Sequence, residues 1–252
     1  MSSAQPRPDR RRGVFETVLV LDGEPVELEA HLARLESSLR ALFPDRAPPA
    51  APADAIHAEA AGVARGGLRV TVAPGAGTGF DVAVEEADLD PRRVLPPTPP
   101  SVHAHTLVVR GGLGGHKWAD RRLLDEAQAD LTADAVPLIF DWDDTPLEAS
   151  RANVFVALGN TLLTPPADGR ILPGTTRARV LAVAAEAGLE VREAALLRAD
   201  LAGADEVLLT GSLRGVERVR TLDGVALSAA GEAASRLHAA LRRAWAGARQ
   251  FG

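Results

Sequence analysis

VHAHTLVVRGGLGGHKWADR, residues 102–121, runs from an apolar, β-branched stretch through a glycine-rich loop to the only lysine of the chain. Val102 to Val109 predicts a strand, and a helix is expected from about Trp118 to Leu131. The loop from Gly111 to Lys117 invites comparison with a phosphate-cradling loop. His116 separates glycine from lysine, however, and Trp118 stands where Ser or Thr would be needed, so an NTPase motif is excluded. What remains is a sharp path from a strand to an amine at a helix start, which suits a nucleophile. Of the 28 basic residues, 27 are Arg and one is Lys117. Guanidinium does not deprotonate in proteins, so a position needing a neutral, nucleophilic amine cannot drift to Arg as a surface cation can.

Working outward toward the N-terminus, Val14 to Val20 predicts a strand, Asp22-Gly23 a hairpin turn, and Pro25 to Leu28 the returning strand. Leu32, Leu35, Leu39 and Leu42 recur at helical spacing up to Pro44, with Arg34 off that stripe. A helix over Ala53 to Ala64 and strands at Leu68 to Val72 and Phe80 to Val84 complete a small α/β layer, residues 13–90. Residues 91–101 carry five prolines among eleven positions and read as a stiff interdomain linker. Toward the C-terminus the expected elements are strands at Pro137 to Asp141, Asn153 to Leu158, Glu206 to Leu209 and Val216 to Arg220, with helices from Thr175 and Ala229. They define a larger second domain, residues 102–252. Residues 1–12, with Arg10 to Arg12, read as a disordered, solvated leader.

At 252 residues, 46% hydrophobic and 25% charged, the composition is that of a soluble globular protein. Without a run of eighteen apolar residues or a secretory leader, no membrane partner and a cytoplasmic location are expected. A net charge of -6 argues against nucleic acid as a partner. There is no cysteine, and the six His show no ligand spacing, so no metal is assigned.

Three further stretches carry chemistry. ILPGTTR places Gly174 before a helix whose first residues, Thr175 and Thr176, would turn N–H groups and hydroxyls toward an anion; an ordinary Thr-capped helix is the plainer reading. Ser212, in LLTGSLRG, ends a strand. Glu148, in LEASRANVF, is a carboxylate in an apolar stretch, otherwise readable as a turn residue.

In this order, GVFETVLVLDGEPVELEAHLARL, GHKWADR, LEASRANVFVALGNTLLTPPADGRILPGTTR and ADEVLLTGSLRGVERV resemble the class IV aminotransferase family, over about residues 13–225. The resemblance implies a two-domain α/β (α+β) fold of type IV, with a small N-terminal α/β domain and a larger C-terminal mixed-sheet domain. It implies pyridoxal 5'-phosphate (PLP) as cofactor, a small-molecule amino substrate and a homodimer. Position by position, it makes Lys117 the Schiff-base lysine and proton shuttle and Glu148 the partner of the pyridine nitrogen. Arg34, Thr175, Thr176 and Ser212 become the phosphate cup, Arg121 a cofactor-site neighbour of the lysine, and Thr17, Gly211 and Leu213 substrate-facing positions.

Within the family, Arg121 four residues after Lys117 resembles the Lys-x-x-x-Arg of the 4-amino-4-deoxychorismate lyases, which form 4-aminobenzoate and pyruvate. The branched-chain aminotransferases tend to place a Tyr where Arg122 stands, and this chain has no Tyr. Many of the lyases carry Asn where Gly211 stands, a departure at the substrate pocket. The alternatives are an aminotransferase of a small amino acid, of branched-chain or D-amino acid type, and a degenerate, non-catalytic member.

Overall fold

The computed structural model describes residues 7–49 and 52–247. The chain divides into two compact units, one comprising Pro8–Leu95 with His116–Arg121 and the end from Trp245, the other Pro96–Gly115 and Arg122–Ala244 together with Arg7.

The smaller unit is built on β1 (Val14–Leu21), β2 (Glu24–Pro25), β3 (Arg65–Pro74) and β4 (Phe80–Glu86), with α1 (Leu28–Leu42) and α2 (Ala53–Ala60). The sheet order is β2-β1-β3-β4, all antiparallel. Asp22 and Gly23 both take positive φ, 54° and 85°, the twist a two-residue hairpin needs. The returning strand is shorter than the expected Pro25 to Leu28. It stops at Pro25, which has no N–H for the ladder, and Glu27 at φ 54° turns the chain into α1. Alternate residues of β1 and β3 (Val14, Val18, Val20, Leu68, Val70 and Val72) pack with Leu35 and Leu39 of α1 and Ile56 of α2. Phe15, Thr17 and Arg69 therefore occupy the opposite face of the sheet.

The larger unit contains β5 (Ser101–Val108), α3 (Arg122–Ala129), β6 (Ala135–Phe140), β7 (Pro146–Ala149), β8 (Ala152–Leu158), β9 (Thr161–Thr164) and α4 (Thr175–Val183). It continues with β10 (Glu190–Glu193), α5 (Arg198–Gly203), β11 (Glu206–Gly211), β12 (Gly215–Leu222), β13 (Val225–Ala226) and α6 (Ala233–Gly247). The strands run β10-β9-β8-β11-β12-β5-β6-β7, and β7 pairs back onto β8, so β8 to β7 along this path close into a barrel. Val102, Val136, Leu138, Val154, Val156, Val207, Leu209 and Val219 form its core. The pairs β5–β6, β5–β12 and β9–β10 are parallel and the rest antiparallel, which is the mixed sheet expected.

Three more expectations change. Residues 1–6 of the leader lie outside the described residues, but residues 7–12 are tied down. Arg7 donates through Nη1 to Gly112 O and through Nη2 to Arg110 O. Arg10–Arg12 form a 3-10 turn whose N-terminus is capped by the Asp9 side chain, and Asp9 N donates to Asp120 Oδ2 at 2.8 Å. The stretch 91–101 is not one connector: Pro91–Arg93 form a 3-10 turn capped by Asp90, and Ser101 already belongs to β5. Finally, α3 begins at Arg122 rather than near Trp118, because residues 117–119 pair with β1 and the residue before it instead.

Candidate active site

That pairing places the lysine. Phe15 N donates to Lys117 O at 2.8 Å, Ala119 N donates to Gly13 O at 3.0 Å, and Val14 bridges Trp118 in antiparallel register. Side chains alternate along such a segment. Trp118 packs on the core side of the small sheet, whereas Lys117 lies on the Phe15 face, with Nζ 4.7 Å from the ring centroid. Lys117 is thus held by an extended, sheet-like segment and not at a helix start. It also clusters with the smaller unit, although the sequence boundary put it in the larger domain.

Phe15 gathers further positive charge. Arg69 Cζ stands 3.8 Å and Arg121 Cζ 5.9 Å from its ring centroid. Arg69 pairs across the ladder with Thr17, which shares this face. Three cations around one aromatic face, drawn from β3 and the 116–121 segment, form a place for anionic groups.

Arg34 belongs to α1 and is nearly buried, with Nε donating to Glu16 Oε1 at 2.9 Å and Nη2 to Glu16 Oε2 at 2.6 Å. His31 Nδ1 lies 2.8 Å from the same Oε2. Burial alone would raise the Glu16 pKa. The hydrogen bonds and charge of His31 and Arg34 outweigh it and hold the carboxyl at about 2.

In the larger unit Glu148 sits in β7, a strand and not the turn of the plainer reading, and is 6% exposed. Its Oε2 accepts from Leu172 N at 3.1 Å and from Asn153 Nδ2 at 3.4 Å, and Asn153 Nδ2 also donates to Leu172 O at 2.9 Å. Asn153 sits so close to the start of α4 that a Cβ on Gly174 would meet its Oδ1 at 2.0 Å. Gly174 is the N-cap of α4, no side chain caps the helix, and Thr175 and Thr176 are buried. Thr176 Oγ1 and Ser212 Oγ lie 3.5 Å apart, so α4 and the end of β11 bring two hydroxyls together beside helix N–H groups that lack intrahelical acceptors. Gly211 is the last residue of β11, and Leu213 is in the turn to β12, half-buried. A Cβ at Gly211 would come 3.2 Å from Arg151 O, a tight fit for the Asn of the lyase pattern.

The expected residues therefore fall into local groups: Lys117 with Arg121, Arg34 on its own carboxylate, Glu148, and Thr176 with Ser212. Sequence reading missed Phe15, Glu16, Arg69 and Asn153. The signal for Glu16 and Arg69 was present as period-two alternation, since each interrupts or opposes a row of Val and Leu. Asn153 gave none. Among the described residues no group of three or more His, Asp or Glu comes together to hold a metal, and no helix is long and apolar enough to cross a membrane.

A barrel of this topology with a small antiparallel α/β unit, an amine on the small sheet and a buried carboxylate on the barrel defines a class that sequence comparison names. The family model for amino-transferase class IV matches residues 13–222, and the chain belongs to that family, with the fold of type IV PLP enzymes. It is similar to the branched-chain-amino-acid aminotransferase of Escherichia coli, 40% identical over 78 residues, covering 31% of this chain and 25% of that relative. Over nearly its whole length it resembles a hypothetical aminotransferase from Mycobacterium tuberculosis in a PLP-bound form, with 27% identity, 99% and 96% coverage of the two chains and a TM-score of 0.82. That protein was also solved in an alpha-ketoglutarate and PMP bound form. The 4-amino-4-deoxychorismate lyase of Pseudomonas aeruginosa matches with 26% identity, 96% coverage of each chain and a TM-score of 0.75.

Proposed function

We propose that this chain is a PLP-dependent enzyme acting on a small amino substrate, and that its reaction converts 4-amino-4-deoxychorismate to 4-aminobenzoate and pyruvate. The residues fit the cofactor. Glu148, fixed by Leu172 N and Asn153, suits a protonated ring nitrogen. Thr175, Thr176 and Ser212 offer hydroxyls and helix N–H groups for a phosphate, and Arg34 a guanidinium. When bound, PLP supplies an electron sink for the bond broken at the amine-bearing carbon.

The chain's own groups do the rest. Glu148 holds the proton on the pyridine nitrogen. Lys117 Nζ, on the Phe15 face beside the guanidinium groups of Arg69 and Arg121, takes the proton from the amine-bearing carbon. Those guanidinium groups also bind carboxylates, with Phe15 as an apolar floor against a ring. Loss of the enolpyruvyl group as pyruvate leaves an aromatic product.

The observation that carries the lyase reading is this cationic face on Phe15 in a chain without tyrosine. 4-Amino-4-deoxychorismate carries one carboxylate on its cyclohexadiene ring and a second on the enolpyruvyl group, whereas a branched-chain amino acid carries one and needs an apolar wall. A second reading, an aminotransferase, is favoured by the aminotransferase relatives. A dicarboxylic 2-oxo acceptor would satisfy the same cations. Purified, PLP-loaded protein given 4-amino-4-deoxychorismate should release 4-aminobenzoate and pyruvate in equal amounts. Turnover of 2-oxo acids with amino donors and no 4-aminobenzoate would replace the lyase by the aminotransferase. By resemblance the enzyme is a homodimer, which light scattering on the purified protein tests.

A further inference from the structure

On the core side of β1 the side chains in order are Val14, Glu16, Val18 and Val20, and the three valines pack into the core of the small unit. Glu16 is as buried as they are, at 2% exposure. A carboxylate in that row is costly, and a buried ion pair seldom adds net stability over apolar side chains of the same size. Its geometry suggests another use. His31 and Arg34, three residues apart on α1, reach down together. Both Glu16 oxygens accept from the Nε and Nη2 edge of the Arg34 guanidinium, at 2.9 and 2.6 Å, and Oε2 is also 2.8 Å from His31 Nδ1. This fork fixes the plane of the guanidinium, and Nη1, the third nitrogen of a planar group, then points along a set direction away from the carboxylate. A long side chain with several rotatable bonds becomes a donor of fixed orientation, which removes the ordering cost from ligand binding.

We propose that Glu16, seconded by His31, is a positioning residue that aims Arg34 at the phosphate of the cofactor. The inference rests on the PLP reading above. It assigns Glu16 no contact with substrate or cofactor. Two effects oppose each other when the carboxylate is removed: Arg34 gains uncompensated charge, which attracts phosphate, and loses orientation, which weakens binding. The inference states that orientation dominates.

The test compares PLP with pyridoxal, which lacks the phosphate, by absorbance and fluorescence titration of apoprotein. Wild type, Glu16→Gln, His31→Asn and Arg34→Met are measured, with circular dichroism to establish folding. Glu16→Gln should weaken PLP about tenfold, the scale of one charge-assisted hydrogen bond, and leave pyridoxal unchanged. His31→Asn, which retains a donor, should show a smaller loss confined to PLP. Should Glu16→Gln fail to fold, His31→Asn decides. Unchanged or tighter PLP binding, or an equal loss for PLP and pyridoxal, overturns the inference while leaving the cofactor reading intact. An Arg34→Met variant that binds PLP as wild type does likewise overturns the inference and leaves the cofactor reading intact, whereas a wild type that binds neither compound removes the reading on which the inference rests and the inference with it.

Discussion

Replacing Gly174 by alanine probes the contact between the start of α4 and the Glu148 site. Gly174 has φ −67°, which alanine adopts freely, so the objection is space alone. The new Cβ would stand 2.0 Å from Asn153 Oδ1 and 3.2 Å from its Cγ. Asn153 is buried and cannot swing away without giving up its hydrogen bond to Leu172 O at 2.9 Å and its approach to Glu148 Oε2 at 3.4 Å. Leaving those groups unsatisfied costs about 1–3 kcal/mol. Overpacking adds about 1–3 kcal/mol. The sum is a loss of about 2–6 kcal/mol, and in a chain of this size each kcal/mol lowers the melting temperature by about 2–4 °C. Calorimetry should therefore find Gly174→Ala melting about 4–24 °C below wild type. Asn153→Ala removes the obstructing atoms, so in that background the penalty should shrink by more than the ~0.5 kcal/mol scatter seen between independent sites. A single variant melting within about 2 °C of wild type, or an identical drop in both backgrounds, would refute the steric argument.

Other outcomes follow from the same geometry. Lys117→Arg keeps the charge but removes the deprotonatable amine, so PLP-loaded protein should lose the visible absorbance of lysine-linked cofactor; an unchanged spectrum rejects Lys117 as the linking residue. Arg69→Met should lower kcat/KM by about 10- to 100-fold, from the loss of one charge-assisted hydrogen bond, and more for a dicarboxylate than for a monocarboxylate; equal loss for both counts against the cationic face. The Glu16 carboxyl, at about 2 against an ordinary 4.5, binds fewer protons folded than unfolded. Its contribution is thus complete above pH 4.5 and lost as pH falls toward 2, about 3 kcal/mol in all, so urea unfolding of Glu16→Gln should show a flatter acid limb across that window. Burial holds the His238 imidazole below its usual 6.5, while the ring joins Pro96 O at 2.7 Å to Val216 N at 3.3 Å. The unfolded chain takes up the proton first, so stability falls as pH drops below 6.5, and His238→Gln should remove that step.

Much of this protein is written locally. The leucine stripe from Leu32 to Leu42, the Asp22-Gly23 turn and the β-branched runs at Val14, Val102 and Val154 each specify their element through short-range periodicity and turn chemistry. The nature of the candidate groups was also legible, because a lone lysine among arginines, a carboxylate in an apolar run and GTTR before a helix are each chemically selective. What the sequence could not determine was which face each group joins. Lys117 reads as the start of a helix, yet backbone pairing with β1, about a hundred residues earlier, draws it into an extended segment on the Phe15 face. Arg34 reads as an off-stripe surface cation until the register of β1 sets Glu16 beneath it. Asn153 carries no local signal, since its role depends on Gly174 and Leu172 arriving from the far side of β9. Local propensity acts over a few residues, whereas these placements come from strand register and barrel closure, and only the folded chain supplies them.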